Sequence, residues 1–207
     1  MSHASKSPDP QSSELRLWDT IYAQLLKGVF HVNKRKFLPY GLLDELLTPR
    51  AVDNALGFSL RKKPIVQFVL ADAKKIFATM LAVDSIRGKD LRDALRVFQK
   101  YHIHDDALPL KKSHAIFTLL EWRDKQTWID YFRERQWYFL APIISTAEKT
   151  HEQEYDYSHR IVMPFVTKAG EVSGGSFGQV YKYEVHERHF QDLAKLVGET
   201  HLGQLRR

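Results

Sequence analysis

Cysteine is absent from the 207-residue chain, which excludes disulfides, thiolate catalysis and Cys-based zinc sites. The simplest compartment for such a chain is intracellular, cytoplasmic or nuclear. Long apolar runs are missing too. No stretch approaches the roughly 18 uninterrupted apolar residues that span a bilayer, so no membrane association is expected. The opening residues Met1–Ser13 carry Ser, Lys, Asp and two prolines but no apolar run. They lack a secretory h-region and read as a disordered leader, residues 1–13. Internal repeats are absent, and spacing alone supports no Ser-His-Asp or paired-carboxylate constellation.

What is present is the balance of a folded chain, 43% apolar and 27% charged. The length suits one ordinary domain, or a small helical domain plus a fragment of a second. A net charge of +6 and a pI near 9.4 favour polyanions. The basic residues are nevertheless spread out, with short clusters only at Lys34–Lys36 and Arg61–Lys63, so nucleic acid is not the expected partner.

Apolar spacing predicts a series of helices. Leu15, Trp18, Ile21, Tyr22, Leu25 and Leu26 recur at three- and four-residue steps, with Gly28 where that helix would end. Thr48 before Pro49 reads as an N-cap with proline at the first helical position, closed by Gly57. Pro64 opens a longer helix, with Ile65, Phe68, Val69, Ile76, Phe77 and Met80 on one face and an end near Val83. Further helices are expected over Lys89–Tyr101, Ile116–Leu120 and Trp128–Trp137.

The character changes at Tyr138–Ile144, a dense apolar run interrupted by Pro142 that suits an edge strand or an extended dock. Ser145–His159 is polar and aperiodic, which marks a linker. Beyond it, Arg160–Val166 is a short apolar run, and Gly170–Val185 alternates around a glycine-rich centre as a β-hairpin does. The expected organisation is therefore mainly α. A leader over 1–13, a helical domain over 14–144 and a linker over 145–159 precede a small C-terminal β-hairpin or sheet segment over 160–207.

Within that segment, Val172–Val185 reads V-S-G-G-S-F-G-Q-V-Y-K-Y-E-V. It resembles the protein-kinase glycine-rich loop, G-x-G-x-x-G-x-V, with Gly175 and Gly178 on the second and third glycines and Val180 on the valine. Ser173 takes the first glycine position and Gly174 the variable place after it. Glycines let a hairpin turn lie close over phosphates, because no Cβ blocks the backbone N–H groups. The order Q-W-Y-F-L-A-P-I at Gln136–Ile143, I-V-M-P-F-V at Ile161–Val166, the loop, and E-V-H-E-R-H-F at Glu184–Phe190 is similar to fungal serine/threonine protein-kinase-like proteins with a helical N-terminal extension. The resemblance implies ATP with Mg²⁺ as ligand, bound weakly or vestigially. Val172 and Val180 would flank the adenine, Gly174, Gly175, Ser176 and Gly178 would approach the phosphates, and Phe177 would stand at the lid tip.

A kinase also needs a strand lysine on the α/β-phosphates, a catalytic Asp, and an Asp and an Asn on Mg²⁺. Lys195 is the candidate for that lysine. Its surroundings, Leu193-Ala194-Lys195-Leu196 between Phe190 and Val197, read as helix, so a helical insertion ahead of a third strand is the other reading. No His-Arg-Asp, Asp-Phe-Gly or Ala-Pro-Glu motif occurs. The chain reads as ending about one hairpin into a kinase small lobe, and catalysis by this polypeptide alone is not expected. A second expectation is a non-catalytic module whose helical domain docks a protein partner. Two other features have plainer readings. His102, His104, Asp105 and Asp106 suit a polar helix end better than a metal site. The aromatic run from Trp122 to Phe139, interleaved with arginines, suits core packing better than base stacking.

Overall fold

Thr48 and Pro49 start a helix for the expected reason: the Thr48 hydroxyl accepts from the Ala51 N–H at 3.2 Å, and Gly57 ends the helix in the left-handed region at φ 60°. The computed structural model describes residues 10–30, 35–57, 63–83, 86–120, 124–144, 158–175 and 178–190. Among them are seven α-helices: α1 Pro10–Ala23, α2 Leu42–Leu46, α3 Pro49–Leu56, α4 Lys63–Asp72, α5 Lys74–Leu81, α6 Lys89–Lys100 and α7 Lys125–Arg135. Four strands form two antiparallel pairs, β1 Leu26–Lys27 with β2 Lys36–Phe37, and β3 Phe165–Gly175 with β4 Gly178–Val185. The fold is thus mainly helical with two small sheets.

The chain divides into two compact units. One comprises Met1–Gln24 with Leu42–Phe139, the other Leu25–Gly41 with Leu140–Arg207. The helical unit packs around α5, whose Ile76, Phe77, Met80 and Leu81 are fully buried. An aromatic cluster extends this core: Trp128 stacks on Phe132 with ring centroids 5.5 Å apart, and Phe117 meets Phe132 edge-on at 5.7 Å. The interleaved aromatics at 128 and 132 are therefore core, while Trp122 lies outside the described residues.

Several expected boundaries move. The helix expected to run from Pro64 to about Val83 breaks at Ala73 (φ −139°, ψ 34°) into α4 and α5. The new helix start is held from a distance, since the Lys75 and Ile76 N–H groups both donate to the Asp105 carboxylate at 2.9 Å. The first helix stops at Ala23 instead of reaching Leu26, because Leu26 and Lys27 pair with Phe37 and Lys36. Ala115–Leu119 is 3₁₀ rather than α, and 3₁₀ geometry also takes over from α7 at Gln136–Phe139. Of the expected edge strand at Tyr138–Ile144, only Ile144 makes a β-bridge, parallel to Phe190. The expected leader overlaps α1, which begins at Pro10. Most of the expected linker, residues 145–157, lies outside the described residues.

Candidate functional site

The glycine-rich motif lies on the β3–β4 hairpin. Ser173 pairs with Val180, Gly174 with Gln179 and Gly175 with Gly178, the last pair before the turn. Ser176 and Phe177, which follow Gly175 in the sequence, and Lys195 lie outside the described residues. Glycines at the closing pair and beside it leave the backbone there without Cβ atoms, which is the condition for close approach to an anion.

The eleven residues of β3 face only eight of β4, and the surplus falls at three places. The register slips between Phe165 and Thr167, between Ala169 and Glu171, and between Glu171 and Ser173, so Val166, Gly170 and Val172 are the extra residues. Each such bulge bends its strand and sharpens the local twist. Val172 consequently stands beside the Ser173–Val180 pair, and the two valines assigned to adenine occupy adjoining register positions.

Below the glycines the hairpin is anchored by aromatic stacking and by long-range hydrogen bonds inside its own unit. Phe165 stacks on Tyr183 at 5.0 Å, and Phe30 meets both rings edge-on at 5.6 Å. The Val29 N–H donates to the Phe165 carbonyl at 2.9 Å and the His186 N–H to the Pro164 carbonyl at 2.8 Å. Gly28 is needed because a Cβ there would lie 3.1 Å from both the Met163 carbonyl and a Val162 methyl. Gly28 is thus a close-approach glycine, not the helix stop its spacing suggested.

His189 joins three stretches of this unit. Its Nε2 accepts from the Tyr40 N–H at 3.0 Å, its Nδ1 donates to the Pro142 carbonyl at 2.8 Å, and its own carbonyl accepts from the Ile144 N–H at 2.7 Å. The ring is buried and Phe37 packs edge-on against it at 5.4 Å. Burial is the main influence holding the imidazole below its usual range, and the nearby His186 adds to the effect. The neutral Nδ1–H form is the only one that satisfies both partners.

Comparison with protein-family models, with curated proteins and with solved structures found no match. The reading of the site therefore rests on its own geometry. Among the described residues no three His, Asp or Glu side chains group as metal ligands. Asp105, from the histidine- and aspartate-rich stretch, is turned to the start of α5. The helical unit holds a cavity of about 240 Å³ lined by Ser13, Arg16, Leu17, Thr20, Ala51 and Asn54. That volume is below the roughly 300–1,000 Å³ usual for small-molecule sites. Sequence reasoning found the glycines but missed His189 and the bulges, since neither carries a local signal.

Proposed function

We propose that the β3–β4 hairpin is a protein-kinase-like glycine-rich loop that binds ATP with Mg²⁺, in a chain that does not itself transfer phosphate. One observation carries the proposal: the motif's glycines stand at the closing end of an antiparallel hairpin, Gly175 opposite Gly178, with Val180 two register steps below and Val172 adjoining it. The proposal stops at binding because the sequence holds no His-Arg-Asp or Asp-Phe-Gly motif. Lys195 stays a candidate phosphate ligand of this reading.

Calorimetric titration with ATP and Mg²⁺ tests it, beside a Gly175→Asp, Gly178→Asp double variant. Two carboxylates at the phosphate approach should weaken binding at least about tenfold, equivalent to about 1.4 kcal/mol. Equal affinity in the two proteins, or no binding to either, would remove the nucleotide reading.

A second reading, a non-catalytic helical module with a protein partner, draws on α1. Leu15 and Tyr22 are 47% and 46% exposed there, with Trp18 half-exposed between them at helical spacing. The two readings separate on whether the double variant changes any activity of the chain, because α1 lies in the helical unit and not in the hairpin's.

A further inference from the structure

The two backbone groups that the His189 ring holds make opposite demands on it. The Pro142 carbonyl, 2.8 Å from Nδ1, requires a proton there, whereas the Tyr40 N–H, 3.0 Å from Nε2, requires a bare lone pair. Histidine is the side chain that ordinarily changes its charge near neutral pH, and a second proton can enter this ring only at Nε2. The charged ring then points an N–H at the N–H of Tyr40. Turning the ring over does not help, because the other nitrogen also carries a hydrogen. The Pro142 bond, by contrast, gains from the charge.

We propose that His189 is an acid-operated latch on the Tyr40–Gly41 corner: a proton taken from solvent at Nε2 releases the Tyr40 N–H, while Pro142 and Ile144 stay bound. Ile144 is insulated from the change because its N–H donates, at 2.7 Å, to the main-chain carbonyl of His189 and not to the ring. Gly41 is the last residue of the 25–41 segment in this unit, so the latch frees the end of that segment. The two sides of one side chain thus respond differently to the same proton.

The charges around the ring set the direction. Residues 37–41 bring Tyr40 as their only ionisable side chain, with Lys36 just before them, and residues 140–144 bring none. The end of β4 and the turn after it bring Glu184, His186, Glu187 and Arg188. The His186 ring, 6.1 Å away, opposes a second positive charge. The Arg188 guanidinium stands over the corner itself, 3.9 Å from where a Cβ on Gly41 would lie. Glu184 and Glu187 are exposed, and neither forms an ion pair with these rings. The Leu38 carbonyl favours the charged ring, though least of the influences on it, and a bond to it would still leave the Tyr40 N–H without its acceptor. Burial keeps the latch shut at neutral pH, and it opens as pH falls below the ordinary histidine value of about 6.5. The latch does not depend on nucleotide binding, since it uses no residue of the glycine turn.

Amide hydrogen exchange on the full chain, followed by NMR and corrected for the intrinsic effect of pH on exchange, tests the asymmetry. Between about pH 7 and pH 5 the protection of the Tyr40 N–H should fall at least about tenfold further than that of the Ile144 N–H. The ring nitrogen shifts of His189 should show Nε2 gaining its proton over the same interval. Equal losses at the two amides, an unchanged Tyr40, or a loss at Tyr40 that does not follow Nε2 would each overturn the latch. In His189→Gln, whose amide does not titrate, Tyr40 should keep its protection across the interval, and a fall as large as in the starting protein overturns the proposal as well. If that variant does not fold, the comparison of the two amides in the starting protein decides by itself.

Discussion

Gln136 shows what a single buried amide does for the helical unit. Its Oε1 accepts from the Leu110 N–H at 2.8 Å, and its Nε2 donates to the Leu110 carbonyl at 3.2 Å and to the Arg133 carbonyl at 3.1 Å. The side chain thus completes the backbone of a residue with no helix or strand to pair in. Gln136→Leu would strand both Leu110 groups in the core at about 1–3 kcal/mol each, so a loss of about 2–6 kcal/mol is expected by chemical denaturation. A change below about 0.5 kcal/mol would mean that water reaches Leu110. His189 makes a comparable arrangement in the other unit, but one sensitive to pH. Its folded pKa is depressed, so its stabilisation is fully present above the ordinary histidine value of about 6.5 and is lost as pH falls through the lower folded value. In His189→Gln, whose amide keeps one donor and one acceptor, the fall in thermal midpoint between about pH 7 and pH 5 should shrink. Equal slopes in the two proteins would assign the pH dependence to other histidines.

At the scale of elements, two helices begin where their own sequence supplies no side-chain cap. Ala73 before α5 and Gly88 before α6 make no capping hydrogen bond of their own. Each start is served by a carboxylate from elsewhere: Asp105 takes two N–H groups of α5, and buried Glu14 takes the Gly88 N–H at 2.8 and 3.1 Å. Desolvation pushes the Asp105 carboxyl up from its usual range while the two N–H groups pull it down, so the cap sits in a partly dry setting. Asp105→Ala should cost about 1–2 kcal/mol by thermal or chemical unfolding, with Asp105→Asn milder because one acceptor remains. If Ala and Asn cost the same, the carboxylate is not acting as a cap. These long-range caps explain what local reading missed. Apolar spacing around Ile76 and Phe77 gives the helical face correctly, but a break at Ala73 depends on a residue some thirty positions away. Thr48, Pro49 and Gly57 were legible because their cap is local. The hairpin was legible through its glycines, whereas the bulges at Val166, Gly170 and Val172 exist only in the pairing of two strands.

At the scale of the whole molecule, the division into units does not follow the chain in order, since Leu25–Gly41 leaves the helical unit and joins the hairpin's. No periodicity announces this, because the contacts responsible are a glycine's missing Cβ, one aromatic edge and single hydrogen bonds to Phe165 and His189. The proposed function rests on a resemblance in the glycine motif, to which the structure adds only the register of the hairpin. A chain ended after Ser158 loses β3, β4 and His189 but keeps α1 to α7 with their core and caps. It should retain helical circular dichroism and a cooperative melt, while residues 25–41 gain protease sensitivity. Loss of the helical signal would show that the helical unit depends on the hairpin.

The bond from Tyr40 to His189 spans 149 positions, and that from Arg35 to His159 spans 124. During synthesis the chain emerges from its N-terminus at about 5–20 residues per second. The 25–41 segment must therefore wait about 6–30 seconds for partners that have not yet been made. The helices can close around α5 as soon as Phe139 has appeared. Gly28 and Tyr40 are held in trust until the glycine hairpin arrives, so the order of assembly is helices first and the nucleotide-binding candidate last.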